Sequence, residues 1–182
     1  MNLRRATMLA GSLLLFGIGT AAMAGHDDAS VMQTASNKTA FMKKAASDGK
    51  AEVKICQMAL DQSDDPQLKQ VAWQLMDDHT QANQQLQQIA QRENVTLPDQ
   101  LMPEDQQKVQ KLQGKNGKAF DKEWIHGNLV DHRKDIKLFS MAGKKLDDQP
   151  VRQFAQSTLP KLKTHLQLVE QLTQKNRGTA GR

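Results

Sequence analysis

Apolar residues recur in this chain at alternating spacings of four and three over four long stretches, the rhythm of helices that each bury one face. The first stripe reads Phe41, Ala45, Asp48, Glu52, Ile55, Ala59, and the second Leu68, Ala72, Leu75, His79, Ala82, Leu86, Ile89. The third is Ile125, Leu129, His132, Ile136, Phe139, Gly143, Leu146, and the fourth Val151, Ala155, Thr158, Leu162, His165, Val169, Leu172. The pattern predicts helices over approximately Lys38 to Gln62, Pro66 to Glu93, Lys118 to Leu146 and Pro150 to Gln174. Sustained two-residue alternation rich in β-branched or aromatic residues is missing, so no strand is predicted.

The punctuation between stripes sets the topology. Asp65-Pro66 and Asp148-Gln149-Pro150 each offer a capping side chain and a proline suited to a first helical turn, which makes the first and third connections tight. Asn94 to Gly117 is longer, contains Pro98 and Pro103, and predicts a short helix from Glu104 to Leu112. The expected fold is therefore all-α, an up-down four-helix bundle with a short extra helix in the long connection between helices 2 and 3. Pro160 interrupts the fourth pattern at a cost of about 3 kcal/mol. It predicts a kink, or a fresh start capped by Ser157 or Thr158 that leaves Val151 to Gln156 as a separate helix.

Ahead of the stripes stand Arg4 and Arg5, an apolar run from Met8 to Ile18, and Thr20-Ala21-Ala22-Met23-Ala24, the layout of a secretory signal peptide. Residues 1–24 are assigned to it, with cleavage after Ala24. The run of about 11 apolar residues is shorter than the roughly 20 that a membrane-spanning helix needs, so no stable membrane insertion is expected. Residues 25–36 lack periodicity and predict a flexible tail, 37–175 the bundle domain, and 176–182 a disordered C-terminal tail. The expected address is periplasmic or secreted.

Charge and composition narrow the function. The 25 basic residues exceed the 20 acidic ones, but they are scattered among acids and glutamines, with few aromatics and no tyrosine, a poor footprint for nucleic acid. Cys56 is the single cysteine, so no internal disulfide forms, and its apolar stretch predicts burial. Trp73, Trp124 and Phe120 are expected in the core or at its edge.

Each stripe carries one potential metal ligand in its middle: Glu52, His79, His132 and His165. Counting inward from the tight connections places the four within about two helical turns of one level. Burying a carboxylate and three imidazoles is costly unless they pair or bind an ion. Two explanations stand side by side. One is a buried polar network that fixes helix register. The other is a site for one transition-metal ion (zinc, iron, copper or manganese), with Asp48, Asp78 or Asn83 as extra ligand or outer partner.

At these residues the chain resembles the exported bacterial family with a ferritin-like fold known as domain of unknown function 4142. The resemblance runs from about Lys38 to Leu172 and rests on Phe41 to Ala46, Ala51-Glu52-Val53, Met76-Asp77-Asp78-His79-Thr80, Val95 to Pro98, Phe120-Asp121, the helix carrying His132, and Thr158-Leu159-Pro160 with His165-Leu166. It implies a ferritin-like bundle and a periplasmic address, and singles out Glu52, Asp78, His79, His132 and His165. It carries no reaction with it.

A di-iron centre would need two inward Glu-x-x-His motifs and further glutamates. Met76, Leu129 and Leu162 stand three residues before the stripe histidines, and the literal match from Glu123 to His126 lies off the stripe and predicts a solvated pair. No nucleophile elbow or phosphate loop appears, so no catalytic residue is assigned. The leading expectation is a non-enzymatic accessory protein in stress or envelope upkeep, with the stripe cluster as its metal site. The alternatives are a metal-dependent oxidoreductase or metal-storage protein using the same cluster, and a helical module that binds a protein partner through its outer faces or the 94–117 connection.

Overall fold

The computed structural model describes residues 21–179, with side chains described from 28 to 174. The expected signal peptide, 1–24, thus lies almost wholly outside the described residues. Among those described the order is α1 (Ala21–Ser36), α2 (Lys38–Gln62), α3 (Pro66–Arg92), α4 (Pro103–Leu112), α5 (Gly117–Lys145) and α6 (Gln149–Thr179), with no strand.

Local chemistry places the helix ends. The Asn37 side chain accepts the Ala40 N–H at 2.9 Å to open α2, and Asp65 accepts the Gln67 N–H at 2.8 Å ahead of Pro66 to open α3. At the next tight turn Asp148 accepts the Val151 N–H at 3.1 Å while Arg152 donates to the Leu146 carbonyl at 2.7 Å. Both turns are too short to do other than fold the chain back on itself. So α2 packs along α3 and α5 along α6; α3 then meets α6, α2 meets α5, and α4 covers α2 and α5.

The core is divided. One apolar cluster is built from Phe41, Met42, Leu86, Leu138, Phe139, Phe154 and Leu162 with their neighbours, and holds three edge-on or tilted phenylalanine pairs. The other gathers Ile55, Leu68, Leu75, Phe120, Trp124, Ile125, Val169 and Leu172. Every long helix passes from one cluster to the other, and in each the crossing is made of buried polar residues: Ser47, Asp48 and Glu52 in α2, His79 in α3, Asn128 to Asp135 in α5, His165 in α6. A polar band therefore cuts the core at mid-height.

Four expectations are revised. Residues 25–36 form most of α1 rather than a flexible tail: Val31 and Ala35, one turn apart, pack on the first cluster, and Lys137 of α5 pairs with Asp28. Two apolar anchors are too few to register as a periodic pattern, yet with a neighbouring surface to cover they suffice. The fourth helix is continuous through Pro160, so Val151 to Gln156 is not a separate helix. Pro160 is exposed, which keeps its ring out of the core, while residues on both sides of it bury the same face. Trp73 is 59% exposed, whereas Trp124 and Phe120 are fully buried. The α6 backbone continues to Thr179, so the first part of the expected 176–182 tail is helical and the remainder lies outside the described residues.

Candidate metal centre

His79, His132 and His165 come from three different helices, α3, α5 and α6, and meet in the polar band, with ring centroids 5.2 to 5.7 Å apart. All three are buried, and one ring nitrogen from each lies within 4.8 Å of the other two. His132 Nε2 and His165 Nδ1 are separated by 3.3 Å. Two nitrogens bound to one ion at about 2.0 Å would stand about 3.3–3.5 Å apart.

Outer contacts choose the tautomers. His132 Nδ1 lies 3.0 Å from the Asn128 carbonyl, which can only accept, so the proton is on Nδ1 and Nε2 carries a lone pair. His165 Nε2 lies 2.9 Å from Asp78 Oδ2. Burial would raise the Asp78 carboxyl, but the hydrogen bonds from His165 and Lys161 outweigh it and hold Asp78 below the usual carboxylate range. Asp78 is thus an acceptor, His165 donates from Nε2, and Nδ1 is left with a lone pair. The two facing nitrogens are both acceptors. His79 Nε2 is buried with no hydrogen-bond partner.

A proton could in principle bridge them, but burial opposes it. Burial, then the neighbouring imidazoles, pushes His79 well below the usual histidine range, and burial with His165 beside it brings His132 down to about 3. His165 is lowered too, because burial outweighs the Asp78 carboxylate. Two neutral imidazoles with facing lone pairs, fixed from behind by a carbonyl and a carboxylate, with a third imidazole beside them, have the donor set and outer support of a metal site.

Glu52 does not belong to the converging set. Its carboxyl is buried with both oxygens unpartnered, and burial, then the nearby Asp131, pushes it up to about 8. It belongs to an acidic group on the α2, α4 and α5 side of the band. There the Lys108 ammonium stands 2.9 Å from Asp105, 3.2 Å from Asp48 and 3.4 Å from Asp131, and Lys44 reaches Asp48 at 2.6 Å. Ser47 donates to Asp105 at 2.5 Å. Burial raises Asp48 to about 6 and lifts Asp135 well above its ordinary value. A cleft of about 890 Å³ opens on this group at Lys108, Asp131 and Asp135, and none of the three histidines lines it.

Of the sequence-derived candidates, then, the structure brings together His79, His132, His165 and, behind them, Asp78. Asp48 and Glu52 sit in the acidic group. Asn83 packs on Gly49 of α2, where a Cβ would lie 2.1 Å from its Oδ1. His126 of the Glu123–His126 pair is exposed. The stripes passed over Lys108, Asp105, Asn128, Asp131 and Asp135. The last three, with Trp124, follow their own four-three-four spacing one position off the His132 stripe, a signal present in the sequence.

The family DUF4142, a domain of unknown function, matches residues 23–172. The chain belongs to this family. No curated protein matches it. Among solved structures it is similar to CopM in its Cu(II)-bound form, at 14% identity over 76% of this chain and 96% of that one, with a TM-score of 0.65. CopM in its silver-bound form gives 15% identity, the same coverage and 0.63. A DUF305 protein from Streptomyces coelicolor, described as secreted, gives 11% identity, coverage of 76% and 93%, and 0.64. At these identities the likeness of the DUF4142 chain to them is one of fold.

Proposed function

We propose that the protein is an exported, non-enzymatic accessory protein of the cell envelope whose core holds one transition-metal ion on His79, His132 and His165. The observation that carries this is the pair of facing acceptors, His132 Nε2 and His165 Nδ1 at 3.3 Å, with a ring nitrogen of His79 in the same group. A buried network that served only to fix helix register would have a donor between them. The likeness of fold to CopM, solved with Cu(II), Cu(I) and silver, supports the metal reading. Asp78 and the Asn128 carbonyl orient the ligands, and the ion would tie α3, α5 and α6 together.

The periplasmic address is part of the proposal and rests on the residue pattern of 1–24; no described helix is long and apolar enough to cross a membrane. The ferritin-like, up-down description of the four long helices rests on their pairing and on the family resemblance. The test is the metal content of the protein purified from the envelope fraction without a histidine tag, beside His79→Ala/His165→Ala. One ion per chain, lost in the double variant, is expected; a wild-type chain that stays empty and keeps its thermal midpoint when zinc, copper, manganese or ferrous iron is added would sink the reading.

A further inference from the structure

The ligand set also bears on the charge of the ion, an inference that rests on the metal reading above. A dication carries four times the Born cost of a monovalent ion of the same size when it leaves water, because that cost grows with the square of the charge. Sites for dications therefore normally bring carboxylates or thiolates into contact with the ion, or admit water to it. Among the described residues, no carboxylate or thiolate belongs to the converging group. The three converging atoms belong to neutral imidazoles that are 6%, 0% and 1% exposed.

Asp78 reaches the cluster through His165, and its other oxygen is held by Lys161 at 2.6 Å. On the far side, the Lys108 ammonium stands 3.4 Å from Asp131, the residue before His132. Of the five carboxylates of the band, Asp48, Asp105 and Asp131 pair with Lys108 or Lys44, and neither these nor Glu52 and Asp135 belong to the converging group.

Coordination number leads the same way. A zinc ion on three histidines takes a water as fourth ligand, and that water needs room and hydrogen-bond partners of its own. The cleft at Asp131 and Asp135 does not include the imidazoles. A d10 ion of charge +1 accepts two or three ligands without a fourth, and imidazole nitrogen is within its range.

We propose that the His79–His132–His165 site is built for a monovalent d10 ion, Cu(I) in the cell and Ag(I) as its redox-inert analogue, held by three imidazole nitrogens and no anionic ligand. The ion enters already in the +1 state, so no electron moves on binding, and His132 and His165, protonated on their outer nitrogens, lose no proton to it.

The experiment titrates the purified protein with Ag(I), with Cu(I) in oxygen-free competition against a chromophoric Cu(I) chelator, and with Zn(II). X-ray absorption then counts the neighbours of bound copper. Expected are one Ag(I) or Cu(I) per chain, three nitrogen neighbours, weaker Zn(II), and loss of all three in His165→Ala. Tighter Zn(II), or copper bound with sulfur or a fourth ligand, overturns the monovalent assignment and leaves the metal site standing. No ion on the histidines overturns both. Because His165→Ala removes a core side chain, Asp78→Asn is measured as well: it keeps the packing and removes the negative charge behind His165, with affinity falling about 10- to 100-fold. An unchanged affinity in that variant would also overturn both.

Discussion

His132 and His165 present lone pair to lone pair across 3.3 Å, each ring held from behind by an acceptor that takes its only proton. In a metal-free core this contact is repulsive, and it stores a cost that a bound metal cation would relieve. The two rings thus link stability to occupancy.

Metal should therefore raise the unfolding temperature well beyond what loose surface binding gives. At free ion 100-fold above the dissociation constant the gain is about 2.7 kcal/mol. Thermal melts with and without Ag(I) measure it, and a midpoint that ignores saturating ion would count against the site.

Removing an unsatisfied ligand should do the reverse of ordinary core truncation. His79→Leu deletes a buried nitrogen that has no partner and leaves an apolar side chain of comparable bulk between the two clusters. The metal-free variant is expected to gain about 1–3 kcal/mol in denaturant unfolding while losing the ion, a trade of binding against stability. A loss of stability would mean that Nε2 has a partner in solution.

The acidic group makes stability depend on pH. Glu52 rises to about 8 in the folded chain from an ordinary 4.5, so between these values the folded state holds a proton that the unfolded chain has released. Stability accordingly falls as pH climbs through that window, and Asp135, also raised, acts in the same sense. His132 works from the other end: held near 3 instead of 6.5, it costs stability as pH drops below 6.5. Above pH 6.5 only the first effect remains, and Glu52→Gln should remove about 2 kcal/mol of the decline up to pH 8. Urea midpoints at several pH values decide it, and an unchanged slope in the variant would refute it.

Gly49 and Asn83 form a tight crossing of α2 and α3. A Cβ on residue 49 would stand 2.1 Å from Asn83 Oδ1, so Gly49→Ala must displace that side chain. Strain of about 1–3 kcal/mol outweighs the helix preference for alanine, about 0.5–1 kcal/mol. Adding Asn83→Ala makes room, and the double variant should recover most of the loss; simple additivity in that cycle would show that the two residues do not collide.

How much of this could be read from residues alone follows a physical line. Periodicity and caps are local, so the spans of α2 to α5, the Asp65 start and the beginning of α6 were readable within a residue or two, whereas α6 runs five residues past the expected Gln174. The presence of His79, His132 and His165 at the level where the apolar stripes break was readable too, because 1.5 Å per residue converts sequence distance into depth. Depth is not azimuth, however. Whether a mid-height side chain meets the imidazoles or the lysines depends on how each helix is rotated against its neighbours, and that put Glu52 beside Asp131 and Lys108.

By itself, then, the sequence determined an all-helical chain with a polar level crossing its core, because helical rhythm and end signals are written over a few residues at a time. Only the tertiary structure decided that α1 packs on α5, that Trp73 stays outside, and that three imidazoles converge while five carboxylates gather around two lysines. Those outcomes depend on contacts between residues far apart in the chain, where the geometry of packing selects among partners that the local pattern leaves equivalent.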